Sequence, residues 1–184
     1  MHSGNLEERI GGLGALPEDI IFRIAKQLAN ALCYLHKQKI LHCNLKSKNI
    51  LVCPNQGSSL LEDLQRSALP GPDGSSPLMG LLYQDWKIKI TDFTLSKHSS
   101  PDGEAISSLE EQSTEQPAKV LENEELNWAA PEILREESHI EASDVYSFGM
   151  ILNEMLTGEV PHAGRSPAQI TGSVGYFADK IKAP

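Results

Sequence analysis

Four short strings concentrate the residue types that can do chemistry: HCNLKSKN at 42 to 49, DFT at 92 to 94, APE at 130 to 132 and SDVYSFG at 143 to 149. The first holds His42, Asn44, Lys46 and Asn49, a cation set among groups that donate and accept hydrogen bonds. The other three each carry a carboxylate, Asp92, Glu132 and Asp144. Asn44 is the chemically pointed member. A carboxamide has one acceptor oxygen and no useful basicity, so it can orient a hydroxyl but cannot take its proton. Two other chemistries use residue types found here. Cys33 and His36, one helical turn apart, and His42 and Cys43 are residues of the types that ligate zinc. The glycines of GGLGAL at 11 to 16 suggest a phosphate loop, but their spacing is wrong, and no strand precedes and no lysine-bearing strand follows.

The elements that must position these residues follow from periodicity and breakers. Residues 1 to 16 read as a polar, glycine-rich, flexible approach to a helix. That helix runs from Pro17 to about Lys37. Proline suits its first position, and Glu18 and Asp19 complement the positive end of the dipole. Ile20, Ile21, Ile24, Leu28, Ala31, Leu32 and Leu35 form one buried stripe. Ile40-Leu41 and Ile50-Leu51-Val52 read as strands on either side of the polar loop, and WKIKI at 86 to 90 as another strand. Residues 54 to 85, with PGPDGSSP, read as an inserted loop with a helical turn at Leu60 to Leu64. Residues 96 to 127 are rich in Ser, Glu and Gln and bury little, so mobility is expected there. A second helix spans about Ser143 to Leu156, stopped by Gly158 and Pro161. Val145, Phe148, Ile151, Leu152, Met155 and Leu156 make it apolar on most sides, which predicts burial in a core.

The four strings, in this order and with a helix before them and strands between, resemble the C-terminal lobe of eukaryotic protein kinases over about residues 5 to 180. The family pattern there is H-R-D-L-K-x-x-N, D-F-G, A-P-E and a buried helix opening with Asp. The wording LKSKNILV, TDFTLSK and SDVYSFGMILNEMLTG is most similar to the tyrosine-kinase-like group of serine/threonine kinases. The fold this implies is α+β and protein-kinase-like, a mainly helical lobe with short β-strands around the catalytic loop. Residues 1 to 184 would then be a partial kinase domain, with 92 to 132 as its activation-segment-like region. GNLEERI is similar to the end of the hinge and the helix after it. The smaller N-terminal lobe, with its glycine-rich loop and strand lysine, is expected to be absent, as are the last helices after about Lys182.

The resemblance implies ATP and Mg2+ as cofactors, and roles for individual residues. Asp92 matches the magnesium-binding aspartate and Asn49 the second metal ligand. Lys46 matches the lysine near the transferred phosphate, and His42 a residue that packs in the core. Asp144 matches an aspartate that bonds backbone amides of the catalytic loop. Glu132 matches a glutamate paired with an arginine lying beyond this chain, so a buried carboxylate without its partner is expected. Three positions depart from the pattern. Asn44 stands where the catalytic base is an aspartate. Cys43 replaces the arginine that clamps a phosphorylated activation loop, so phosphorylation at Ser96, Ser99, Ser100, Ser107, Ser108, Ser113 or Thr114 would not act by that route. Thr94 replaces the glycine of D-F-G, which stiffens the segment around Phe93. The strings holding His36 and His42 occur in kinases without metal there, which weighs against zinc.

The bulk composition excludes several classes. Hydrophobic residues make up 40% and charged residues 22%, ordinary for a soluble globular chain. A net charge of -9 leaves no electrostatic footprint for nucleic acid or an anionic membrane. No apolar stretch is long enough for a spanning helix, and Met1 is followed by polar residues rather than a signal-peptide core. Three cysteines without a CxxC favour reduced thiols and a cytoplasmic setting. The leading expectation is a pseudokinase that binds protein partners as a scaffold or allosteric module. A weak serine/threonine kinase within a longer chain is the alternative, and a non-functional fragment the second.

Overall fold

A computed structural model describes residues 4–54, 86–100 and 125–177. The inserted loop and its turn at Leu60 to Leu64 lie outside the described residues, as does the greater part of the segment expected to be mobile. The two ends of that segment are held: Lys97 and His98 form a strand, and Glu125–Trp128 a 3-10 turn.

The chain opens with helix α1 (Leu6–Leu13), where the glycines suggest a flexible approach and the resemblance of GNLEERI implies a helix. The reason is a capping box. The Asn5 side chain accepts from the Glu8 amide at 2.8 Å, and the Glu8 carboxylate accepts from the Asn5 amide at 3.2 Å. Leu6 and Ile10, one turn apart, are both buried, and Gly11 and Gly12 are carried in the last turn. Helix α2 (Glu18–Lys37) follows, with Pro17 as its N-cap rather than its first residue. Of its expected stripe, Ile20, Ile21, Ile24, Leu28 and Leu32 are buried, while Ala31 and Leu35 are half-buried.

The strands flanking the polar loop do not pair with each other. Strand β1 (Ile40–Leu41) pairs antiparallel with β4 (Lys97–His98), and β2 (Ile50–Pro54) with β3 (Trp86–Ile90), in the register Ile50↔Ile90. A 3-10 turn, Ser47–Asn49, carries the polar loop into β2. Helix α2 is tied to the outer edge of β3 by one side chain. Gln27 donates to the Trp86 carbonyl at 2.9 Å and accepts from the Ile88 amide at 3.2 Å, satisfying both backbone groups.

After the 3-10 turn at Glu125–Trp128 come a short helix α3 (Pro131–Leu134), the long helix α4 (Glu141–Thr157) and α5 (Pro167–Ile170), which runs into a π-turn at Thr171–Tyr176. One core cluster joins Leu6 and Ile10 of α1, the α2 stripe, Leu45, Ile50, Val52, Trp128 and Met150, Ile151 and Met155 of α4. The expectation that α4 is buried on most sides needs correction. Val145 is 55% exposed and Leu156 41%, because α2 and the 125–128 turn cover only one face among the described residues. No helix of the described residues is long and apolar enough to cross a membrane.

Gly158 ends α4 in the left-handed region, at φ 74°, and its amide returns to the Glu154 carbonyl at 2.8 Å. A Cβ there would lie 2.4 Å from the Ala15 backbone nitrogen. Gly158→Ala combines left-handed strain with a backbone collision that no side-chain rotation relieves. A loss of about 2 kcal/mol in urea unfolding is expected. A loss below about 0.5 kcal/mol would mean that the 14–15 segment gives way freely.

Candidate active site

Construction of the site begins below it, at the start of α4. Asp144 is 2% exposed and accepts three hydrogen bonds: from the His42 amide at 2.9 Å, the Cys43 amide at 3.0 Å and the His36 ring at 2.9 Å. The role implied by the resemblance is the one found, with His36 as an addition. Burial would by itself raise this carboxyl's pKa. The hydrogen bonds from His36 and the two amides outweigh it and hold the group below its ordinary value. These bonds also hold an unfavourable backbone. Cys43 sits at φ 63°, a region that costs a non-glycine residue roughly 1 kcal/mol or more. The Cys43 thiol itself is inert: burial first, then the Asp144 charge, push its pKa up to about 12.

His42 is fully buried, as expected. Its Nε2 lies 3.0 Å from the Thr91 carbonyl, while Nδ1 accepts from the Asn44 amide at 3.3 Å. A ring that accepts at Nδ1 carries its proton on Nε2, so it is neutral. Burial lowers its pKa and keeps it so. Phe93 meets this ring edge-on at 5.0 Å.

Four of the expected residues converge above this base. Asn49 Nδ2 donates to the Asn44 carbonyl at 2.8 Å and lies 3.3 Å from Asp92 Oδ2. Asn44 Nδ2 reaches the same Asp92 oxygen at 3.1 Å. The hydroxyl of Thr94 donates to the other oxygen, Oδ1, so the residue in the glycine position folds back onto its own aspartate. Asp92 adopts φ 61°. Glu132 stands apart from this group, and the expectation of a carboxylate without a partner fails. It is half-buried and accepts from the Ser143 hydroxyl at 2.6 Å, a partner supplied from the first turn of α4. Of the serines offered for phosphorylation, Ser99 is buried and so is closed to a modifying enzyme in this conformation.

Two buried acids were not anticipated. Glu125 accepts from Lys46 Nζ at 2.9 Å and from Asn44 Nδ2 at 3.3 Å. Nothing in the sequence separates it from Glu122 and Glu124 beside it. Glu154 is 1% exposed and accepts from Ser47 Oγ at 2.8 Å and Trp128 Nε1 at 3.0 Å. A glutamate inside the apolar run of α4 was the available signal. Burial raises its pKa to about 7 against the pull of those two donors. Through it, one α4 side chain fastens both the turn that carries Asn49 and the turn that carries Glu125.

The donor chemistry at Asp92 and Asn49 fits magnesium. One carboxylate and one carboxamide oxygen are hard donors, of the kind the ion uses together with water and nucleotide phosphates. The bond from Asn49 Nδ2 to the Asn44 carbonyl fixes the carboxamide and leaves Oδ1 as its metal-type atom. A bound Mg-ATP would bring the phosphoryl group and neutralise part of its charge. The chain's own residues would position it: Asp92 and Asn49 on the metal, Asn44 beside them as a hydrogen-bond donor.

Such a loop, with its metal-type pair and the aspartate beneath it, defines a protein kinase domain. Residues 1–176 match the protein kinase domain family, and the chain belongs to it. Relatives include the mitogen-activated protein kinase kinase kinase mlk-1 of Caenorhabditis elegans, 30% identical over 90% of this chain and 14% of that protein. Another is the serine/threonine-protein kinase atg1 of Aspergillus oryzae, 32% identical over 93% of this chain and 17% of that protein. The chain thus spans less than a fifth of the length of these relatives.

Proposed function

We propose that this chain is a catalytically impaired kinase domain, equivalent to the C-terminal lobe, that works by binding protein partners as a scaffold or allosteric module. The observation that carries this reading is the orientation of Asn44. Its amide nitrogen points at Asp92 and Glu125, so a proton donor stands where phosphoryl transfer wants a proton acceptor. Cys43 and Thr94 support it, the first by removing the arginine clamp, the second by tying Asp92. The wording of the motifs is most similar to the tyrosine-kinase-like group, which supports a serine/threonine kinase ancestry for the chain. Its free cysteines suit a reducing, cytoplasmic setting.

The test is phosphotransfer from Mg-ATP to a general protein substrate by the full chain. Loss of general-base assistance predicts a rate roughly 100- to 10,000-fold below that of an intact kinase. Turnover at an ordinary kinase rate would end the impaired reading.

A second reading, a weak serine/threonine kinase, is favoured by the convergence of Asp92, Asn49 and Lys46 around one loop. A magnesium-dependent rise in melting midpoint with ATP would support it, since a ligand of the native state stabilises by RT ln(1 + [L]/Kd).

A further inference from the structure

The group facing Asn44 is a carboxylate from another segment, Glu125, and the two are joined with Lys46 in one buried cluster. The Lys46 and Glu125 side chains are only 12% and 5% exposed. Glu125 therefore bonds two groups of the catalytic loop at once, the amide at 44 and the ammonium at 46. The segment bearing it is fastened from behind, by Trp128 on Glu154 and by Ser147, whose hydroxyl donates to the Trp128 carbonyl at 2.8 Å. Lys46 also lines a cleft of about 260 Å³ with Glu7, Lys48, Asn127, Trp128 and Val160. Its positive charge is met at the wall of that cleft by the chain's own anion.

We propose that Glu125 is an internal anionic ligand of the catalytic loop, matched to the amide at position 44, so that acid and amide have in effect exchanged places across one hydrogen bond. An aspartate at 44 would oppose this arrangement. It would replace a donor by a carboxylate, with Asp92 Oδ2 at 3.1 Å and Glu125 Oε1 at 3.3 Å from the atom exchanged. Like charges at such separations disfavour one another, and the donor both acids now share would be gone. The functional consequence, which rests on the impaired-kinase reading, is that Asn44→Asp alone does not restore a working base. The restored acid needs Glu125→Gln beside it, which returns a donor to face position 44 and keeps a carbonyl for Lys46.

Melting of the full chain as wild type, N44D, E125Q and N44D/E125Q tests this. Asn44→Asp alone is expected to lower the midpoint by about 3–6 °C, and the double variant to recover most of that loss. If Asn44→Asp does not fold, folding regained in the double variant is the supporting result. Losses that simply add, or a double variant no better than Asn44→Asp, would overturn the exchange. The cycle reads folding alone, so its failure is distinct from that of the impaired-kinase reading, which phosphotransfer reads.

Discussion

Replacing Asp144 by alanine is expected to cost about 4 kcal/mol of stability, the range found when a buried, hydrogen-bonded charge is removed from its partners. The magnitude follows from what is left behind. The amides of His42 and Cys43 and the His36 ring all lose their acceptor, and the two amides belong to buried residues. Each orphaned buried donor costs about 1–3 kcal/mol, and Cys43 loses the bond that holds it at φ 63°. Asp144→Asn, which keeps one acceptor oxygen, should lose roughly half as much. Urea unfolding measures both, and hydrogen exchange at the His42 and Cys43 amides should accelerate in the alanine variant. A cost under about 1 kcal/mol for alanine would show that water or a shifted side chain serves these amides equally well.

Glu154 makes the second large prediction, in its pH dependence. Its pKa stands at about 7 in the folded chain against an ordinary 4.5. Between these values the folded state holds a proton that the unfolded chain has lost. The stabilising preference for the protonated form is complete below about 4.5 and is lost as pH rises towards 7. The loss amounts to roughly 3 kcal/mol, at about 1.4 kcal/mol for each pH unit. His42 and His139 act in the opposite sense. Burial lowers both their pKa values, so stability gained from them rises with pH through the same region. The clean observable is therefore the difference between wild type and Glu154→Gln. The neutral variant should lack the downward contribution between pH 4.5 and 7 and gain relative stability at pH 7 and above. A difference that stays flat across this range would mean that Ser47 and Trp128 keep the carboxylate ionised throughout.

These effects separate what the residue order announces from what it conceals. The α2 helix was legible because its apolar positions repeat with the helical period and one face is buried against one core. Strand β3 was legible through its alternation. Helix α1 was obscured in the composition by its glycines, while the resemblance of GNLEERI implied a helix and Asn5 and Glu8 carried the capping signal. The exposed face of α4 could not be read from an apolar run, because hydrophobicity records what a residue prefers and not whether a neighbour arrives to cover it.

For the site, the resemblance of the motif strings to the family pattern was enough to choose His42, Asn44, Lys46, Asn49 and Asp92. Motif spacing is a property of the chain, and a carboxamide at 44 lacks basicity in any fold. Partners across long separations were decided only by tertiary structure. Glu125 reaches Lys46 over 79 positions, and Glu154 reaches Ser47 over 107. Glu132 found Ser143 in place of an arginine. A carboxylate's sequence says that it can be charged; its burial and its donors decide how much that charge costs and what it holds. The amide at 44 was readable in the sequence. That an acid from another segment waits opposite it was decided by the packing of two turns on one helix.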